Sequence, residues 1–316
     1  MTLETDRPTT THSPWPALPV TDWAATRDTL LLWTQMVGKL RLALTPLVNH
    51  WWNVPLYVDS RGLTTSLMPV GTAGLEVRLD FFAHRLVALH TDGRERELPL
   101  RSGTIAGFYA AFLNLLRELD VHVDLYPVPV EMPDVIPFDE DHRPAEYDPA
   151  AAHRFWVSLV SASRVMGRFR ARFTGKASPV HFFWGAFDLA TTRFSGRGAP
   201  VHPGGVPNCP DRVMHEAYDA ELSSAGYWPG GAAEGAFYSY TYPEPAGYRE
   251  RDLGIDGAYY DEALGEFILP YERVRASADP DATLLAFLEA TYRCAAETGD
   301  WPAELVRAEL VSRADS

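Results

Sequence analysis

DPAAAHRFWVSLVSASRVMGRFRARF at positions 148–173, followed by HFFWGAFDLATTRFSGR at 181–197, decides the fold. Asp148 can cap free amides, and Pro149 suits the first helical position because its missing N–H is not needed there. Phe155, Leu159, Ala162, Met166, Phe169 and Phe173 then recur in steps of four and three, which places them on one helix face. A few residues later the pattern turns extended, and strands are expected over 179–184 and 187–194. Working towards the C-terminus, further strands are expected over 221–228, 237–242 and 266–269. Asp279-Pro280 then caps a helix bearing Leu284, Leu285, Leu288 and Tyr292, and Trp301-Pro302 introduces a short last one.

The N-terminal half repeats this order. Thr21 or Asp22 is expected to cap a helix that ends near Pro46, with Trp23, Leu30, Trp33, Val37, Leu40, Leu44 and Leu47 on its apolar stripe. Extended runs follow over 50–58, 63–70, 75–82 and 85–91, and Asp92-Gly93 turns the chain into 95–100 as an antiparallel meander. Ile105, Phe108, Phe112, Leu115, Leu116 and Leu119 mark a second helix, and 121–126 reads as a short strand. Sliding one half on the other by 131 positions brings His50-Trp-Trp onto His181-Phe-Phe. The expectation is therefore an α+β protein of two pseudo-repeated lobes, each a long helix, a mainly antiparallel sheet and a shorter helix.

The lobes are placed at 15–126 and 150–302, with a tail over 1–14 and a terminal helix and tail over 303–316. Pro127, Pro129, Pro133, Pro137, Pro144 and Pro149, mixed with Asp139, Glu140 and Asp141, make 127–149 a stiff connector. The 316 residues suffice for two cores. A formal charge of −14 disfavours nucleic acid, whose recognition needs clustered Lys and Arg. Arg164, Arg168 and Arg172 share a helix face and read either as an anion site or as a solvated face pairing with acids. The apolar run over 30–47 is broken by Thr34, Gln35, Lys39 and Arg41, so a core helix and no membrane span is expected. Two unpaired cysteines, Cys209 and Cys294, and a start without a basic, apolar leader point to the cytoplasm.

Candidate chemistry centres on His50, His181 and Asp188. Each imidazole opens an expected strand in apolar company, where it could serve as general base, or simply be a hydrogen-bonded core histidine. Arg193 and Arg197 flank Ser195-Gly196, where a turn could aim them at an anion, although a hairpin end of this composition is also ordinary. Trp184, Tyr240 and Tyr242 belong to aromatic tracts suited to a pocket wall, to sheet packing or to a dimer surface. The chain has 26 arginines and two lysines, Lys39 and Lys176, each after a glycine. Both are counted among ligand-binding candidates, with neutralisation of a helix end as the other role. No phosphate loop, dinucleotide fingerprint, nucleophile elbow or His-Glu-x-x-His pair is present, and no cofactor or metal is expected, a two-histidine site of His50, His181 and a carboxylate being the weaker alternative.

The segments Trp33-Thr-Gln-Met-Val-Gly-Lys39, Leu42-Ala-Leu-Thr-Pro46, Asn49-His-Trp-Trp52, Val54-Pro-Leu-Tyr-Val58, Arg61-Gly-Leu-Thr-Thr65, Pro137-Phe-Asp-Glu-Asp141 and 181–197 resemble the bacterial family named domain of unknown function 5996. The resemblance runs over 15–301 and implies one family unit. It brings no activity, cofactor or site residue with it.

The functional expectation is a protein that binds or transforms a small polar or anionic molecule in an aromatic-lined cleft between the lobes. The alternative is an interaction or structural protein that forms a homo-oligomer through its aromatic sheet.

Overall fold

A computed structural model describes residues 13–231 and 233–306. The tail expected over 1–14 therefore lies outside the described residues except at its last two positions, as does the chain end beyond 306. Helix α1, Val20–Leu44, begins directly after Pro19, so neither Thr21 nor Asp22 caps it. The amide of Val20 donates instead to the carbonyl of Ala233 at 2.8 Å. Thr45 turns extended before Pro46 and ends the helix there. From Thr29 to Arg41 every residue but Leu31 is buried, including Thr34, Gln35, Lys39 and Arg41. A helix buried all round lies at the centre of a fold.

An antiparallel meander follows: β1 Tyr57–Val58, β2 Gly62–Thr64, β3 Met68–Val70, β4 Ala73–Asp80, β5 Arg85–His90 and β6 Glu95–Pro99. Its order is β1-β2-β4-β5-β6, with β3 added on β4. The extended run expected over 50–58 is corrected to a 3-10 turn at Asn49–Trp51 and two strand residues. His50 and Trp51 both take positive φ there, at 58° and 57°, which interrupts any strand. Next come β7, Gly103–Thr104, and α2, Ile105–Glu118, capped by the Thr104 hydroxyl. The strand expected over 121–126 is absent. The proline-rich segment is fastened to the rest: β8, Pro144–Ala145, pairs with β7, and Phe138, Ala145 and Tyr147 are buried.

Helix α3, Pro149–Ala171, carries its expected cap, with Asp148 accepting from the Ala150 amide. Strands β9 His181–Phe183 and β10 Asp188–Gly198 precede α4, Asp211–Ala217. β11 Ala220–Trp228, β12 Ala236–Tyr242, β13 Tyr259–Asp261 and β14 Glu266–Pro270 complete a sheet ordered β13-β14-β12-β11-β10-β9. Helices α5 Tyr271–Ala276, α6 Pro280–Thr298 and α7 Ala303–Val306 close the chain. Asp279 caps α6 as the sequence predicts. The arginine face of α3 is taken by acids of α6: Arg164 and Arg168 pair with Asp281, and Arg172 lies 3.5 Å from Glu289.

Among the described residues the fold is thus α+β, with seven α-helices and three antiparallel sheets. At the offset of 131 the two halves place unlike structure together, since His50 sits in a 3-10 turn and His181 opens β9. The large sheets meet where Leu56 and Phe182 exchange both backbone hydrogen bonds at 2.9 Å. One apolar cluster runs through both halves, from Trp15 to Trp301. Phe182 is fully buried against Phe155 and Phe187 at that junction. Phe182→Ala is expected to lower unfolding free energy by about 3–5 kcal/mol, read from the urea midpoint. A change under about 1 kcal/mol would show that the junction does not depend on this ring.

Candidate functional site

Period-two alternation gives the second large sheet two unlike faces. Leu189 and Arg193 of β10, Tyr227 of β11 and Phe237 of β12 are buried, and β10 packs on α3 while β11 and β12 pack on α6. Asp188, Ala190, Thr192 and Phe194 of β10, Leu222 and Ser224 of β11, and Tyr238 and Tyr240 of β12 line a cavity of about 1560 Å³. Its other walls come from α1, the turn at Asn49–Trp51, residues 124–132 and the loop around α4.

Five acidic residues line this space, of which Asp28 and Asp124 are exposed and three, Asp188, Glu131 and Glu266, have raised pKa values. Asp188 is 6% exposed and accepts a hydrogen bond from the Tyr238 hydroxyl. That bond crosses a strand, because Tyr238 on β12 reaches β10 over Gly226 of β11, where a Cβ would collide with the tyrosine ring and hydroxyl. Burial pushes the Asp188 carboxyl up to about 7, aided by the negative charge of Glu131. Glu266, at the start of β14, is likewise raised to about 7 by burial and by Asp188. Glu131 borders the cavity with open surface, yet protein surrounds its carboxyl closely enough that desolvation raises it as well. Its carboxyl rests on Gly185, a place that any Cβ would fill. Among the described residues none of the three is paired with a cation, and Glu131 and Glu266 make no side-chain hydrogen bond.

Strained backbone gathers in the same place. Of nine described non-glycine residues with positive φ, five line the cavity: His50, Trp51, Glu131, Phe187 and Asn208. Such conformations cost free energy and persist where surrounding contacts impose them, often at functional sites.

Of the candidates named from sequence, the cavity brings together His50, Asp188, Trp184, Tyr240 and Lys39. His50 is 5% exposed, and its Nε2 accepts from the Lys176 ammonium at 2.8 Å, which leaves the ring proton on Nδ1, 3.3 Å from Asp219. Burial, and then the Lys176 charge, lowers its pKa. Trp184 is pinned by a 2.9 Å bond from Nε1 to the Val54 carbonyl, and Tyr240 shares a 2.7 Å hydroxyl bond with Tyr218. Lys176 lies behind His50, 5.3 Å from the Trp52 ring centroid.

His181 does not reach the cavity. It is 1% exposed behind Trp52, with neither ring nitrogen hydrogen-bonded to a described residue, and desolvation drops its pKa to about 3. Asp188 does not approach His181, since it is bonded to Tyr238 and pairs in register with Phe183. Arg193 points to the opposite face, its guanidinium 3.4 Å from the Phe169 ring centroid and 3.8 Å from Glu289. Arg197 is engaged by both oxygens of Glu221, at 2.6 and 2.9 Å, and by the carbonyls of Gly299 and Asp300. The Tyr242 hydroxyl donates to the Pro200 carbonyl at 3.1 Å, away from the cavity. Sequence reading missed Glu131, which lay inside an apparent connector. No three His, Cys, Asp or Glu side chains among the described residues converge as a metal site.

Because Asp188 holds its proton more firmly folded than unfolded, the folded form carries the extra proton between about pH 4 and about 7. Stability should therefore fall as pH rises through that window, by up to about 1.4 kcal/mol per pH unit for one proton. Asp188→Asn should flatten the slope of urea-derived free energies between about pH 5.5 and 7, and an unaltered slope would refute the protonated carboxyl. Gly226→Ala is expected to cost about 1–3 kcal/mol by displacing Tyr238 and to leave the slope in place, because the Tyr238 hydrogen bond holds the Asp188 pKa down and burial still holds it up.

No curated protein and no solved structure matches the chain. The model of the family of unknown function DUF5996 matches residues 15–308. With that match spanning nearly the whole sequence, the chain belongs to the DUF5996 family.

Proposed function

We propose that this protein binds a small organic molecule in the cavity over its second large sheet and acts on it by proton transfer. The observation that carries the reading is the set of three carboxyls without a cation partner, buried Asp188, half-buried Glu266 and Glu131 at the open edge, all raised by desolvation and facing an aromatic space. Groups raised towards neutrality can hold or release a proton near physiological pH, as general acids and bases must.

The proposed ligand keeps the polar half of the expectation and departs from its anionic half. Arg193 and Arg197, the residues on which that expectation rested, serve the protein's own acids and carbonyls. Of the two arginines on the cavity wall, Arg27 is held by Asp28 and the Gly230 carbonyl, and Arg212 is exposed. Carboxyls and tyrosine rings instead complement hydrogen-bond donors or a positive charge. The oligomer reading draws less support, because Tyr227 and Phe237 are buried and Tyr238 and Tyr240 face the cavity. No described helix is long and apolar enough to cross a membrane, and both cysteines are free, in keeping with the proposed cytoplasmic setting.

Calorimetric titration with benzylamine, benzyl alcohol and benzoate tests the reading. Benzylamine should bind most tightly, benzoate least, and Glu131→Gln with Asp188→Asn should weaken benzylamine by about fivefold or more. Equal affinity for benzylamine and benzoate, or indifference to both substitutions, would reject it.

A further inference from the structure

We infer that Lys39 is an amine nucleophile that holds a carbonyl compound as an imine inside this cavity. The inference rests on the cavity being a ligand site and adds the class of ligand, an aldehyde or ketone.

Residue usage gives the first argument. The chain carries 26 arginines against two lysines. Every ion pair among its described residues draws its cation from arginine or histidine, and neither lysine takes part in one. What an ammonium can do that a guanidinium cannot is lose its proton at an accessible pH and attack with the freed electron pair. A lysine at position 39 is thus retained where an arginine would supply only charge.

Placement gives the second. Lys39 is 4% exposed, lines the cavity, and makes no hydrogen bond or ion pair with a described residue. Its ammonium lies 5.2 Å from the Tyr126 ring centroid and 6.0 Å from that of Trp184, so aromatic rings border it. Gly38 makes this possible, since any Cβ there would collide with the Trp184 indole. Neutralising the helix end is not its task, because Arg41 occupies the last turn of α1. Burial lowers the amine to about 8, so roughly a tenth of it is free base at pH 7.

A proton donor lines the same cavity. Gln35 lies one turn before Lys39 on α1, and its amide grips both backbone groups of Val130, donating to the carbonyl at 3.0 Å and accepting from the N–H at 2.8 Å. That clamp sets the next residue, Glu131, whose carboxyl rests on Gly185 next to Trp184. In the reaction the Lys39 nitrogen attacks the carbonyl carbon, a C–N bond forms, and a proton passes to the former carbonyl oxygen. A carboxyl protonates that hydroxyl, which leaves as water as the C=N bond forms. The nitrogen's second proton returns to the carboxylate, so amine plus carbonyl gives imine plus water with no oxidant or reductant.

The test uses the full chain with benzaldehyde as probe and cyanoborohydride to reduce the imine, followed by peptide mapping by mass spectrometry. Lys39 should gain one benzyl group at least about tenfold faster than Lys176 at pH 7, because Lys39 opens onto the cavity while Lys176 lies behind His50 and is bonded to it. Raising the pH should increase the Lys39 rate with a midpoint near 8. Lys39→Arg should lose the label. Labelling of Lys39 no faster than of Lys176 would overturn the inference, and the unsubstituted protein alone decides this should the variant not fold. If labelling fails while benzylamine still binds, only the nucleophile is wrong. If benzylamine also fails to bind, the cavity reading falls with it.

Discussion

Side chains along a β-strand point alternately to opposite faces, and β10, β11 and β12 turn that rule into a division of labour. One set of positions, including Leu189, Tyr227 and Phe237, is consumed by packing and holds the sheet to the rest of the protein. The other set, including Asp188, Thr192, Ser224, Tyr238 and Tyr240, is left to line an open space. Arg193 shows how strictly the rule applies. It sits one residue from the cavity-facing Thr192, yet its guanidinium is buried among Phe169, Phe173 and Tyr292. A one-residue slip of this sheet would exchange the two sets and bury the carboxyls in the core, so the register and the site are fixed together.

Three glycines let polar groups approach where a side chain would stand in the way. Gly226 opens the path from Tyr238 to Asp188, Gly185 makes the bed for the Glu131 carboxyl, and Gly38 admits the Trp184 ring against α1. In each case the void left by a missing Cβ is filled by the functional end of a residue distant in sequence. The acids therefore gather without cations between them, and their mutual repulsion, added to desolvation, keeps protons on them.

Most helices and the second sheet were legible because local chemistry determines them. Asp148-Pro149 and Asp279-Pro280 write their caps plainly, and steps of three and four mark α3. The cavity was only half legible. His50, Asp188, Trp184, Tyr240 and Lys39 could be named as functional types, but which ones meet depends on strand faces set by long-range pairing. His50 was misread as a strand residue, since consecutive left-handed residues at His50 and Trp51 leave no trace in hydrophobic pattern. Prolines around Glu131 suggested a spacer, because the hydrogen bonds that pull it onto α1 come from Gln35, 95 positions earlier. The arginine face of α3, open in sequence to an anion site or to pairing with acids, is satisfied by internal acids, the usual fate of a charged helix face in an acidic chain.

The grip of Gln35 on Val130 joins amide to peptide and ignores the side chain it holds. Any residue but proline at position 130 presents the same donor and acceptor, so this wall tolerates variation in size and polarity while its neighbour stays aimed. Specificity could in this way be retuned by exchanging what hangs from the strand of wall, with the anchoring hardware left alone.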